Sequence, residues 1–340
     1  MQKILIVKLS ALGDIIHTLP IVKGIKENWP NSVIGWLVGR NHRTVLEGHP
    51  FLDKIFIFER ERWGGLDFFN RQQEIWQLVR EIRRQRYDVV LDFQGLLRSA
   101  CFTLLSGAKR RIGFSDSREM AFLAYTEMVQ PTSPHMHAVE KNILLAERMA
   151  GPILSRDFTL PVSSRDRERA ESWMGNSPYV LLVPGARWAT KRWPPGHFAR
   201  LVDRVHQHRR GAISVALVGS SADKFVAEQI MAQASSPGKI INLVGKTSLK
   251  ELAALMEKAS VVVTNDSGPM HIASAMNTRV VALFGSTDPR KTGPYGTKHI
   301  VLKTRLECSP CRKRTCEHRP SCMEGISPED VFSAVAKILG

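Results

Sequence analysis

Two stretches decide the fold: Lys8-Leu9-Ser10-Ala11-Leu12-Gly13-Asp14, straight after Ile4-Leu5-Ile6-Val7, and Asn265-Asp266-Ser267-Gly268-Pro269-Met270-His271, straight after Ser260-Val261-Val262-Val263-Thr264. Both apolar runs are continuous and rich in β-branched residues rather than alternating, the pattern of a strand buried on both faces in a parallel sheet. Each runs into a turn with glycine and aspartate and then into a helical pattern. In open α/β sheets, ligands bind where strands end and helices begin. One such mouth in each half predicts two domains facing a cleft, with a ligand held from each side.

Strand and helix patterns alternate outward from these two points. In the first half, strands are predicted over 4–8, 32–38, 54–58 and 88–92, and helices over 15–28, 44–47, 71–86 and 138–150. Residues 151–164 hold two prolines and little periodicity, which marks a linker. In the second half, strands over 179–183, 213–218, 240–243, 261–264 and 279–284 alternate with helices over 197–208, 223–234, 249–258 and 270–276. This order predicts an α/β protein with two Rossmann-like doubly wound domains. They span 1–160 and 175–340, with a linker over 151–174 and a cysteine-containing segment over 305–325.

The length of 340 residues suits two domains, and 43% apolar residues suffice for two cores. No run approaches the roughly 18–20 apolar residues of a membrane span. The first strand begins at Lys3-Ile4 and leaves no room for a leader, so the reading is a cytoplasmic protein. A formal charge of +16, from 48 basic and 32 acidic residues, points to an anionic partner: nucleic acid, anionic lipid or a phosphorylated sugar. Zinc-finger, aromatic RNA-binding and basic-zipper signatures are missing, which argues against nucleic acid. Cys101 sits in an apolar helical run and reads as a core residue. Cys308, Cys311, Cys316 and Cys322 form a cluster that suits a metal, disulfides or four reduced thiols; the intervals differ from the common paired zinc pattern.

Asp14 stands where the first strand hands over to a helix. It reads either as a helix cap or as a general base toward a hydroxyl, with Ser10, Gly13 and His17 around it. In the second half, three post-strand loops suit a nucleotide. In residues 184–194 Gly185 permits close backbone approach, and Arg187, Thr190, Lys191 or Arg192 can contact phosphates. Thr247 lies in a turn after another strand, where a nucleobase would lodge. Asp266-Ser267-Gly268 opens a helix whose free N–H groups favour an anion. The chain contains neither a Walker loop nor a Gly-x-Gly-x-x-Gly after the first strand, which argues against ATP hydrolysis and NAD binding. It has no Asp-x-Asp at a strand end, so no divalent metal at the phosphates is indicated.

Lys8-x-Ser10-x-x-Gly13-Asp14-x-x-His17-Thr18-Leu19-Pro20 resembles the start of the lipopolysaccharide heptosyltransferases, glycosyltransferase family 9. Asp92-x-Gln94-Gly95-Leu96-Leu97-Arg98-Ser99-Ala100 and His137-Ala138-Val139-Glu140-Lys141-Asn142 resemble further first-domain motifs. Asn265-Asp266-Ser267-Gly268-Pro269-x-His271 and Phe284-Gly285-x-Thr287-Asp288-Pro289 resemble the second-domain signature. The resemblance implies a glycosyltransferase B fold and an inverting, metal-independent transfer of heptose from ADP-heptose to the Kdo-containing inner core of lipopolysaccharide, with no cofactor. It implies Asp14 as base and Lys191 as the cation that offsets the leaving diphosphate. Thr190, Arg187, Thr247, Asp266, Ser267, Gly268 and His271 would hold the donor, and Ser10, Gly13, His17, Gln94 and Arg98 the acceptor.

The N-terminal motifs favour heptosyltransferase I. The Cys308-Ser309-Pro310-Cys311 cluster looks more like heptosyltransferase II, and serines stand at Ser220-Ser221 where type I members often carry an acidic residue for the ribose. Another sugar nucleotide, or a non-catalytic nucleotide- or lipid-binding protein, are the competing readings. The basic excess then fits a peripheral enzyme at the inner face of the cytoplasmic membrane. The aromatic stretch 60–69 reads as a lid, an interfacial anchor or a tucked-in loop.

Overall fold

Six parallel strands form the first sheet: β1 Lys3–Val7, β2 Val33–Gly39, β3 Lys54–Phe58, β4 Val89–Asp92, β5 Arg110–Phe114 and β6 Glu127–Val129. Their order is β3-β2-β1-β4-β5-β6. The chain winds outward first from one side of β1 and then from the other, so the switch point lies between β1 and β4. There Val7 pairs with Asp92, and the loops leaving both strands emerge side by side. The second sheet contains β7 Tyr179–Val183, β8 Ser214–Leu217, β9 Ile240–Asn242, β10 Val261–Asn265, β11 Val280–Phe284 and β12 Ile300–Lys303, in the order β12-β11-β10-β7-β8-β9. Its switch point lies between β7 and β10, where Val183 pairs with Thr264. The computed structural model describes residues 1–208, 213–317 and 321–340. The chain divides into two units, Met1–Pro161 and Val162–Gly340, one around each sheet.

The central strands are fully buried because both faces of each sheet are covered, as their unbroken apolar runs require. In the first unit Leu5, Val7, Leu37, Phe56 and Val90 pack against Leu78, Val79 and Ile82 of the helix Phe68–Arg84 and Phe102 of the helix Leu97–Leu105. The helices Leu19–Asn28 and Ala138–Ala150 pack against each other. In the second unit Trp193, Phe198 and Val202 join Val180, Leu182, Val261 and Val263.

Several elements differ from the sequence reading. The helix expected over 15–28 is two, Leu12–Ile16 and Leu19–Asn28, because Pro20 belongs in a first turn, where its missing N–H costs nothing. The second half of the expected linker is a helix, Ser164–Met174, that packs on the helix Leu249–Lys258 of the second unit. It is charged on nearly every side, so hydrophobic periodicity is silent there; its mark is the Ser163/Asp166 capping box. Cys101 is exposed rather than core, because the helix Leu97–Leu105 turns Ala100, Phe102 and Thr103 inward instead. The stretch 60–69 is no open loop: it forms the helix Arg60–Gly64 and the start of Phe68–Arg84. Trp63 is buried and stacked near Phe102, while Phe68 and Phe69 stay exposed.

Candidate active site

At the first switch point the loops after β1 and β4 are tied together. The Gln94 Oε1 accepts from the backbone N–H groups of Leu9 and Ser10, each at 3.0 Å. The buried Lys8 ammonium donates to the Phe93 carbonyl at 2.8 Å. Gln94 is aimed by Asp92, whose Oδ1 accepts from the N–H groups of Gln94 and Gly95 at 2.9 and 3.1 Å and whose Oδ2 accepts from the Tyr125 hydroxyl at 3.0 Å. Burial pushes the Asp92 carboxyl up, and these donors oppose the push. Asp92 is therefore a buried brace for the turn.

Beside that turn lies a cavity of about 340 Å³. Asp14, His17, Lys8, Gln94, Lys141 and Asn142 face it. Asp14 is half-buried on the short helix Leu12–Ile16 and accepts one hydrogen bond from Ala11 N at 3.1 Å, so it also caps that helix. Asn142 donates to the His17 carbonyl at 3.2 Å and the Thr18 hydroxyl at 3.0 Å, holding this helix to Ala138–Ala150. Lys141 pairs with Asp116 at 2.7 Å and lies over the Phe114 ring. Ser10, Gly13 and Arg98 do not line the cavity; Ser10 serves through its backbone, and Gly13 is buried within the helix. His42, on the 3-10 turn Arg40–Val45, is close enough to Asp14 to feel its charge: burial pushes the imidazole down and Asp14 opposes. The sequence reading missed it, because nothing in a lone histidine after β2 marks it.

The second switch point gathers the loops after β7 and β10. The Lys191 ammonium lies 2.6 Å from Asp266 Oδ2 and over the Trp188 ring. Thr287, in the loop after β11, donates to the same carboxylate oxygen at 2.6 Å. Asn265 clamps both ends of the lysine-bearing loop: its Oδ1 accepts from Trp193 N at 3.1 Å and its Nδ2 donates to the Pro184 carbonyl at 2.7 Å. Ser267 is the N-cap of the helix Gly268–Ala275, which buries His271 in its first turn. The Ser267 Oγ is enclosed and makes no hydrogen bond among the described residues. Gly185 admits a neighbour: a Cβ there would meet the Asp223 carboxylate at 2.4 Å, so the loops after β7 and β8 touch at this glycine. Thr247 is half-buried after β9, and Arg187 is exposed. Thr287, Asn265 and Trp188 stood inside quoted motifs, but nothing in the spacing distinguished them from their neighbours.

The cysteine segment packs on this loop cluster. The Thr190 hydroxyl donates to the Lys313 carbonyl at 2.7 Å and accepts from Ser286 at 3.0 Å. Ser309 donates to the Gly285 carbonyl at 2.6 Å, and the buried Cys322 thiol lies 3.7 Å from the Thr190 carbonyl. Among the described residues no disulfide joins any of the five cysteines. Among the described residues no group of three or more His, Cys, Asp or Glu side chains is arranged to hold a metal ion.

Two doubly wound sheets, one with a carboxylate beside a cavity at its switch point and the other with a lysine–aspartate pair at its own, have the layout of the glycosyltransferase B fold. A family profile, glycosyltransferase family 9 (heptosyltransferase), matches residues 75–321. Lipopolysaccharide heptosyltransferase 1 of Pseudomonas aeruginosa is 30% identical over 335 residues, covering 94% of this chain and 89% of that protein. The crystal structure of a family 9 glycosyl transferase from Veillonella parvula superposes with a TM-score of 0.88 at 23% identity, covering 99% and 97% of the two chains. The structure of ADP-heptose lps heptosyltransferase II of E. coli gives a TM-score of 0.79 at 24% identity, covering 99% and 98%. The chain belongs to glycosyltransferase family 9, the heptosyltransferase family.

Proposed function

We propose that this enzyme transfers heptose, with inversion and without a metal ion, from ADP-heptose to the Kdo region of the lipopolysaccharide inner core, as a heptosyltransferase I. The observation that carries the reading is Asp14: a carboxylate opening onto a cavity that also bears Lys8, Arg118 and Lys141, the last paired with Asp116. Those cations suit an anionic saccharide, and the carboxylate suits removal of a proton from one of its hydroxyls. The acceptor oxygen then attacks the anomeric carbon as the bond to the diphosphate breaks. Lys191, held by the Asp266 carboxylate that Thr287 also donates to, offsets the charge that develops on the departing ADP, the part a divalent ion plays elsewhere. Ser267, Gly268 and His271 belong to a helix start suited to the phosphates. Thr190 positions the lysine-bearing loop through Lys313 and Ser286, while Arg187 and Thr247 remain outer donor contacts. On the acceptor side, His17 and Gln94 join Asp14, with Ser10, Gly13 and Arg98 acting around the cavity rather than in it.

Type I is supported by the relative of that type at 30% identity. Among the described residues no helix is long and apolar enough to cross a membrane. With a net charge of +16, the protein fits peripheral attachment to the inner face of the cytoplasmic membrane, where a lipid-linked acceptor is presented.

Mass spectrometry of a mixture of enzyme, ADP-heptose and Kdo2-lipid A, with and without chelator, tests this. The expected result is one added heptose in both mixtures. Product only from an already heptosylated acceptor would move the protein to type II. Loss of product with chelator would overturn metal independence, and no product with either acceptor would point to another sugar nucleotide.

A further inference from the structure

One layer of the first unit exposes large apolar side chains that neither the core nor the site uses. The helices Phe68–Arg84 and Leu97–Leu105 and the helical turn Ala121–Ala124 are neighbours in sequence along this layer. With 3.6 residues per turn, Leu97, Cys101 and Leu104 fall within a roughly 60° arc, and all three are exposed. Phe69, Trp76, Arg80 and Arg83 share a second roughly 60° arc on the longer helix. Arg83 reaches to Gly107, just past the end of Leu97–Leu105, which sets the two stripes side by side. On the other flank Met120 and Leu123 are 63% and 68% exposed. Apolar residues scattered singly over a surface need no explanation, but a run across three adjoining elements does.

The charges of this layer outside ion pairs are mostly basic, with Glu119, whose Oε2 accepts from Leu97 N at 3.1 Å, as a carboxylate among them. Glu74 is taken by Arg62, Glu81 by Lys54, and Glu127 by Arg110 and Arg148. Among the described residues, Arg80, Arg83, Arg84, Lys109 and Arg118 form no ion pair with a carboxylate. Exposed aromatics among uncompensated arginines are the make-up of a surface that lies on anionic lipid. A second copy of the chain docked by a two-fold axis would set these arginines against one another. The layer also adjoins the cavity: Arg118 N donates to the Gly95 carbonyl at 3.0 Å, and both residues line the cavity. Leu97 and Met120 each stand two residues beyond this link.

We propose that this layer seats the enzyme on an anionic bilayer, with the Asp14 cavity at the edge of the seat; the inference rests on the reading of the acceptor as lipid-linked. Flotation with vesicles of phosphatidylcholine alone, or of equal parts phosphatidylcholine and phosphatidylglycerol, tests it. The unmodified protein should float with the mixed vesicles and not with the neutral ones. Each arginine at such a surface contributes about fivefold, so Arg80→Gln/Arg84→Gln should bind about 25-fold more weakly. Phe69→Ser/Trp76→Ser/Leu123→Ser should not float. Both variants should keep the unmodified melting curve and full transfer to a delipidated saccharide acceptor. Failure of the unmodified protein to float, or flotation of the arginine variant at unmodified strength, overturns the proposal. A dimer in sedimentation velocity that the apolar variant abolishes, without vesicle binding, would replace the bilayer with a second copy. Transfer to the delipidated acceptor reports separately on the catalytic reading.

Discussion

Lys191 Nζ stands 2.6 Å from Asp266 Oδ2, with the carboxylate 5% and the lysine 18% exposed. A pair this enclosed is worth more as a pair than either half alone, since removing one partner strands the other charge away from water. Lys191→Met and Asp266→Asn should each lower stability by about 2 kcal/mol. The double variant should lose less than their sum by at least about 1 kcal/mol. Urea unfolding of the four proteins measures this, and additive losses would show the contact to be idle. ADP affinity should fall at least tenfold in Lys191→Met.

Asn265 ties the two ends of the same loop, and both of its partners are buried backbone groups. Asn265→Ala leaves Trp193 N–H and the Pro184 carbonyl unmatched, at a cost of about 2–3 kcal/mol. The lysine-bearing loop then loses its seat, so ADP binding should weaken together with stability. Unchanged ADP affinity in a destabilised variant would confine Asn265 to a folding role.

Gly285 is enclosed by the Cys322 and Met323 sulfurs at 2.7 Å and the Thr190 carbonyl at 2.8 Å from where a Cβ would stand. Gly285→Ala should cost about 1–3 kcal/mol and push the cysteine segment off the Thr190 loop. The thiol reagent accessibility of Cys322 should rise with it; a thiol that stays as protected as before would contradict this packing.

The sheets were readable because their strands are unbroken apolar runs, and their mouths because glycine and aspartate follow directly. What escaped has physical reasons. β5 opens on Arg110-Arg111 and β6 has only Glu127-Met128-Val129, too polar or too short to show a pattern. Ser164–Met174 is capped but not amphipathic enough to stand out. Within the site, Asp14, Lys191 and Asp266 were legible as charges at strand ends. Thr287 and His42 were not, because each owes its place to the fold of a separate loop.

His49 is buried, and its imidazole is held down at about 4 by that burial, with Nε2 unpartnered among the described residues. Above the ordinary histidine value of 6.5 both folded and unfolded chains keep it neutral, so its contribution is complete there. As the pH falls from about 6.5 toward 4, the unfolded chain takes up a proton that the folded one refuses, and up to about 3 kcal/mol is lost. Burial lowers His42, His197, His206 and His299 as well, which adds to the fall. In His49→Asn, whose side-chain oxygen still accepts from Phe51 N, thermal melts between pH 7 and 4 should drop less steeply. An equal slope would place the titration elsewhere.

The role proposed for Asp14 is in the chemistry and not in holding the donor. Parallel calorimetry of ADP binding and single-turnover transfer on Asp14→Asn tests it most directly. The expected result is ADP affinity within about twofold of the unmodified enzyme and a transfer rate lower by at least about 10³-fold. Transfer within tenfold of the unmodified rate, or a parallel collapse of ADP binding, would contradict it.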